Sequence, residues 1–202
     1  MKNIFLTLLC ALSLLSITGC SNDDPPKDTL PEATTIGANT AGCYIDGKLL
    51  VPKDGDTGFT GTAYGLTVGG GNNFNAPIIG DDYFYVRIVN HRDRPTYSIW
   101  LQIDDMSDGE GAYPFGQANG LYFMDGPNNP FAIVMYYDGV NVAKTYYSSE
   151  NSGNINITQF DYYNGIYSGT FNLTLYNKDN PTDTIEITEG RFDIRIATLN
   201  QD

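Results

Sequence analysis

The sequence predicts an all-β fold, an antiparallel β-sandwich or partly closed β-barrel of about ten strands. Three observations carry this expectation. Fifteen Tyr, ten Phe and many Val, Ile and Thr fall in short runs separated by Gly, Asn and Asp, the composition of pleated, half-buried strands. Asp46-Gly47, Asp138-Gly139 and Asn164-Gly165 each stand between strand-like segments, and such dipeptides supply the left-handed backbone of tight hairpins. No long stretch repeats its apolar residues at helical spacing.

Strands are expected over 42–45, 48–51, 61–68, 83–90, 96–103, 120–124, 131–137, 140–147, 154–162, 166–176 and 184–197. Phe84, Val86 and Ile88 alternate with Tyr83, Tyr85 and Arg87, while Ile99, Leu101 and Ile103 alternate with Ser98, Trp100 and Gln102. Side chains alternate across a sheet, so matching the apolar faces sets Arg87 opposite Trp100 and Tyr85 opposite Gln102. At Asn164-Gly165 a two-residue loop would set Phe171 opposite Thr158. The loop Tyr163-Asn164-Gly165 pairs Ile157 with Phe171 and Ile155 with Leu173 instead, and is the expected one, with Gly165 left-handed. In the last strand Ile185 and Ile187 are odd-numbered, whereas Phe192, Ile194 and Ile196 are even. Both groups face one core only if a residue is inserted, which predicts a β-bulge at Glu189-Gly190.

Lys2 precedes an apolar run from Ile4 to Ile17 that ends in Ile17-Thr18-Gly19-Cys20. The run is too short and too poorly flanked to span a bilayer, and it reads as an export signal. Its end resembles a lipobox, in which small residues lead to a lipid-bearing Cys. Cleavage before Cys20 frees its own amine, and acylation there (palmitate) in addition to the lipid on the thiol gives stable anchoring; an ordinary signal with a coincidental Cys is the plainer alternative. The expected organisation is a signal peptide over 1–19, lipidated Cys20 and a flexible tether over 20–39, and one β-rich domain over 40–202. Pro25, Pro26 and Pro31 mark the tether. Ser21-Asn22-Asp23-Asp24 resembles the surface-export signal of Bacteroidota lipoproteins, which implies an outer-membrane lipoprotein at the cell surface. A solvated spacer on a periplasm-facing protein is the alternative.

The formal net charge of −13 argues against nucleic acid and against electrostatic docking on anionic lipid, which leaves the lipid anchor as the contact with the membrane. Of three Cys, Cys10 lies in the signal and Cys20 carries lipid, so Cys43 has no partner for an intramolecular disulfide. It reads as a small buried apolar residue. The single His, His91, has no nucleophile-elbow sequence to complete a triad. No cofactor is expected.

Leu30-Pro31-Glu32-Ala33-Thr34, Gly42-Cys43 with Ile45-Asp46-Gly47-Lys48, and Gly190-Arg191-Phe192-Asp193 together resemble an uncharacterised family of Bacteroidota lipoproteins. The resemblance implies a secreted β-rich domain and brings no catalytic residues with it.

Several clusters are weighed as sites. His91-Arg92-Asp93-Arg94 is the basic cluster and reads first as a solvated turn, second as an anion grip. Asp104, Asp105, Asp108 and Glu110 gather in one loop and Asp54 and Asp56 in another, without EF-hand spacing for calcium. Tyr83, Tyr85, Arg87 and Trp100 share one sheet face and form a candidate platform for a glycan or protein partner, with cation–π contact between Arg87 and Trp100. The plainer reading is a face covered by packing. Thr29 and Thr184, in Asp-Thr-aliphatic segments, are candidate O-glycosylation sites. The leading expectation is a membrane-anchored, non-enzymatic binding or interaction module. The alternatives are a carboxylate-dependent glycan-active enzyme, which needs two facing acids in a cleft, and a small-ligand-binding β-barrel, which needs an enclosed cavity.

Overall fold

The computed structural model describes residues 28–56, 61–71 and 83–201. The export signal, Cys20 and the acidic patch after it lie outside the described residues. The strands are β1 Thr40–Ile45, β2 Lys48–Leu50, β3 Gly55–Asp56, β4 Thr62–Ala63, β5 Leu66–Gly70, β6 Phe84–Val89 and β7 Thr96–Ile103. They continue as β8 Gly111–Pro114, β9 Phe131–Tyr137, β10 Val142–Tyr147, β11 Gly153–Asp161, β12 Ile166–Asn177 and β13 Asn180–Arg195. The chain is all-β, as its composition predicts.

Eleven strands form one antiparallel sheet in the order β2-β1-β13-β12-β10-β9-β7-β6-β5, with β11 and β8 branching from β12. The sheet curls into a half-barrel. Beyond β2 the chain begins to close it: Lys53 N donates to Val89 O at 3.2 Å and His91 N donates to Lys53 O at 2.9 Å. Only glycine fits beside that crossing, because a Cβ on Gly65 would stand 2.5 Å from Lys53 N. This close approach also splits the expected strand 61–68 into β4 and β5.

Period-two alternation fills the concave side. Phe84, Val86, Ile88, Ile99, Leu101, Phe171, Leu173, Ile187 and Ile194 all pack into one buried cluster. Cys43 lies in it, and burial pushes its thiol up to about 12. That thiol stays protonated at neutral pH, as a packing residue and not a nucleophile.

The expected bulge is present. Cys43 of β1 lies between the pairs Gly42↔Arg191 and Tyr44↔Thr188, opposite Glu189 and Gly190. Glu189 takes φ 53°, and the inserted residue brings both Ile187 and Phe192 to the core. The β11–β12 hairpin differs from expectation in loop length. Asp161 pairs with Ile166, so residues 162–165 form the loop, with Gly165 left-handed at φ 61°. A four-residue loop alone would send Ile157 to the wrong face; a bulge at Thr158 restores the phase. Ile155 then pairs with Phe171 and Ile157 with Gly169. The predicted face survives, two residues out of the predicted register.

The end of the expected tether is folded onto the sheet. Asp193, 1% exposed, points away from the concave core beside its β12 neighbour Ser168. Its carboxylate accepts hydrogen bonds from Ser168 Oγ at 2.6 Å, Thr34 Oγ1 at 2.6 Å, Gly37 N at 2.8 Å, and Ile36 N and Ala38 N, both at 3.1 Å. Burial alone raises the carboxyl pKa; the donors from Ser168, Thr34, Ala38 and Gly37 outweigh it and hold the group below the usual carboxylate range. Arg195 Nη2 donates to Ile36 O at 2.9 Å, and Arg191 Nη1 donates to Pro31 O at 3.3 Å. Residues 30–38 therefore form a strap clasped to the last strand.

Candidate functional site

Strands β6 and β7 pair as face matching predicts, Arg87 with Trp100 and Tyr85 with Gln102. Alternation turns Tyr85, Arg87, Trp100 and Gln102 to the convex face, and β9 adds Phe131 and Ile133. This face carries a second, smaller core of Trp100, Ala118, Phe131 and Ile133, against which Tyr85, Tyr122 and Tyr147 pack.

The covering layer is the connection between β8 and β9, over residues 115–130. Its path is set by Ser148, whose Oγ donates to Gly116 O and accepts from Ala132 N, both at 2.9 Å. The segment 120–124, expected as a strand, instead leads into a single 3-10 turn, Phe123–Asp125. Positive φ at Gly120 and Phe123, 87° and 58°, breaks the extended run. Gln102 takes up the backbone groups that a neighbouring strand would have bonded: its Nε2 donates to Phe123 O at 2.8 Å, and its Oε1 accepts from Phe123 N at 3.0 Å. The same Oε1 accepts from Trp100 Nε1 at 3.2 Å. β8, by contrast, carried too little alternation to be expected, and it forms because its backbone pairs with β11.

The four platform residues are thus neighbours, but they do not present an open platform. Tyr83 and Trp100 are 7% and 8% exposed. Tyr85 stacks on Trp100 with ring centroids 4.2 Å apart and planes 11° from parallel. Tyr122 and Phe123 meet the indole edge-on, at 5.0 and 5.1 Å. The Arg87 guanidinium turns to Ser98, with Nε donating to Oγ at 3.2 Å. Among the described residues a cation–π contact puts Arg94 over Tyr137, 5.6 Å from the ring centroid. The open platform is corrected to a roofed aromatic box, because a loop without sequence periodicity covers it.

The other candidates take local roles. Asn90 Oδ1 accepts from Arg92 N and Asp93 N, which makes 90–95 a side-chain-capped turn. His91 lines an open cleft with Asp54, Asp56 and Arg92. Burial, and then the charge of Arg87, hold its pKa below the ordinary range. In the acidic loop Met106 is fully buried, Asp105 accepts from Ser107 N at 2.7 Å and Glu110 from Phe160 N at 3.1 Å. Among the described residues no three His, Cys, Asp or Glu gather as a metal site. A second open cleft of about 550 Å³ lies beside the strap. Its carboxylates are engaged, Asp28 with Lys53 Nζ at 2.5 Å and Asp54 with Gly65 N at 2.7 Å. The concave side is filled by Phe84, Phe115, Tyr167 and Phe171. Thr29 and Thr184 are both exposed.

Comparison with protein-family models, with curated proteins and with solved structures gives no match.

Proposed function

We propose that the chain is a lipid-anchored interaction module of the outer membrane, non-enzymatic and facing outward, held through Cys20. The observation that carries this reading is the clasp on Asp193. A chain arriving from an anchor at Cys20 enters the domain through the strap, and four hydrogen bonds from Thr34, Ile36, Gly37 and Ala38 pass any pull on it into β13, an interior strand of the main sheet. A domain held on a tether needs such a join. The residues that carry the family resemblance support the same reading, since Thr34 of the Leu-Pro-Glu-Ala-Thr segment and Asp193 of the Gly-Arg-Phe-Asp segment meet there.

Labelling with a palmitate analogue tests the anchor. The native chain takes up label and sediments with outer membranes, whereas Cys20→Ser does neither; equal labelling of the two would end the anchoring reading. Protease added to intact cells degrades an outward-facing domain, and degradation only after lysis would turn it to the periplasm.

Thr29 is proposed as the O-glycosylated residue ahead of Thr184, because it lies in exposed chain before the first strand, where a bulky glycan meets no sheet neighbour. The intact mass of native protein is expected to exceed that of Thr29→Ala by a glycan as well as the side-chain difference. A native mass equal to the bare lipidated chain would dispose of the modification.

A further inference from the structure

Phe123 sits on the convex face in the manner of a ligand. Its ring meets Trp100 at 5.1 Å and Tyr85 at 5.5 Å, close to a right angle to each. One side chain, Gln102, 1% exposed, grips both polar groups of its backbone. A buried amide that donates to a carbonyl and accepts from the N–H of the same residue recognises peptide backbone as such, while the surrounding rings recognise an aromatic side chain.

The occupant is not at ease in this seat. Phe123 has φ 58°, a left-handed conformation that is an outlier for a bulky side chain and tends to mark functional segments. Phe123 as a whole stays 38% exposed, and beside it Leu121 and Met124 expose 52% and 71%. Gly120, at φ 87°, and Gly126 bracket the turn, and such residues absorb the backbone rotation of a moving flap.

We propose that the box formed by Tyr85, Trp100 and Gln102 is a binding site for a peptide segment of a protein partner bearing an aromatic residue, and that Phe123 is a built-in pseudo-ligand which that residue displaces. The partner's segment makes the same ring contacts and the same two hydrogen bonds to Gln102 without the left-handed backbone. Relief of that strain is the differential interaction that drives the exchange. Leu121 and Met124, already exposed, flank the incoming chain. The proposal rests on reading the domain as an interaction module and names the chemistry of its partner.

Trp100 is the only Trp of the chain, so its emission reports the box directly. The probe is a blocked peptide with the flap's own sequence, Leu-Tyr-Phe-Met-Asp, titrated into the mature protein and into Phe123→Gly, which removes the ring and tolerates the left-handed φ. Phe123→Gly is expected to give a saturable emission change, and the native chain to bind about tenfold more weakly or less, since its own Phe123 competes. A peptide with Ala for Phe is expected to give no change, as is Gln102→Ala combined with Phe123→Gly. A cooperatively melting Phe123→Gly that does not respond, or that responds equally to the Ala peptide, overturns the proposal. Hydrogen exchange on the native chain decides independently of that variant's folding. The Phe123 amide is expected to exchange by local opening, far faster than Ile99 and Leu101; exchange as slow as theirs makes the turn a fixed roof and overturns the proposal. The palmitate experiment reads anchoring and the titration reads the box, so the two readings fail separately.

Discussion

Asparagine in place of Asp193 is expected to cost the fold about 3 kcal/mol or more. The side chain keeps its shape, but one acceptor oxygen becomes a donor facing N–H and O–H donors in a site only 1% exposed. At least two of the five bonds to Thr34, Ile36, Gly37, Ala38 and Ser168 are lost, and with them the charged acceptor that these donors share. At roughly 2–4 °C per kcal/mol for a domain of this size, Tm falls by roughly 10 °C.

The effect has a pH signature with a definite sign. The folded pKa of Asp193 lies below its ordinary value, so the unfolded state takes up its proton first as pH falls. The carboxylate's contribution is full above about pH 5, declines below about pH 4, and is lost as pH passes the folded pKa. Thermal melts of the native chain and Asp193→Asn between neutral and acid pH measure it. The gap in Tm is expected to be constant at neutral pH and to narrow in acid. A gap independent of pH throughout would mean that the charged form is not what the strap grips.

Gly190→Ala is the second large effect, at about 3 kcal/mol. Gly190 stands directly opposite Phe171 in the β12–β13 ladder, and its missing side chain is where the Phe171 ring lies. A Cβ there would come within 2.3 Å of Phe171 Cδ2 and Cε2. The ring cannot step aside, because Phe171 is fully buried in the main cluster. The expected result is a lowered midpoint of urea unfolding, with Gly190→Val more severe than Gly190→Ala. Adding Phe171→Leu frees space at the clash, so the double variant is expected to be more stable than the two separate losses sum to. Strict additivity would show that the glycine serves some other purpose.

Much of the fold was legible because a strand has a period of two. Ile185 and Ile187 against Phe192 and Ile194 required an inserted residue, and the left-handed Glu189 provides it. Arg87 opposite Trp100 followed from matching two apolar faces. The same rule found the core face of β11 but not its register, because it fixes odd against even and is blind to shifts by two. The extra loop residue and the bulge at Thr158 cancel in parity. The aromatic box was half legible: alternation put Tyr85, Trp100 and Gln102 together, while its roof comes from residues 115–130, whose order repeats at no structural period.

The sequence by itself determined the all-β class, the alternating core, the bulge in the last strand and the β6–β7 register, all products of local periodicity and turn chemistry. The tertiary structure alone decided what covers the convex face. There Asp193 and Trp100 occupy outward positions that alternation assigns to solvent. They are buried because distant segments reach them, the strap through its amides and the flap through Gln102. Those segments are held by backbone hydrogen bonds to single polar side chains, an interaction that leaves no hydrophobic pattern in the chain to read.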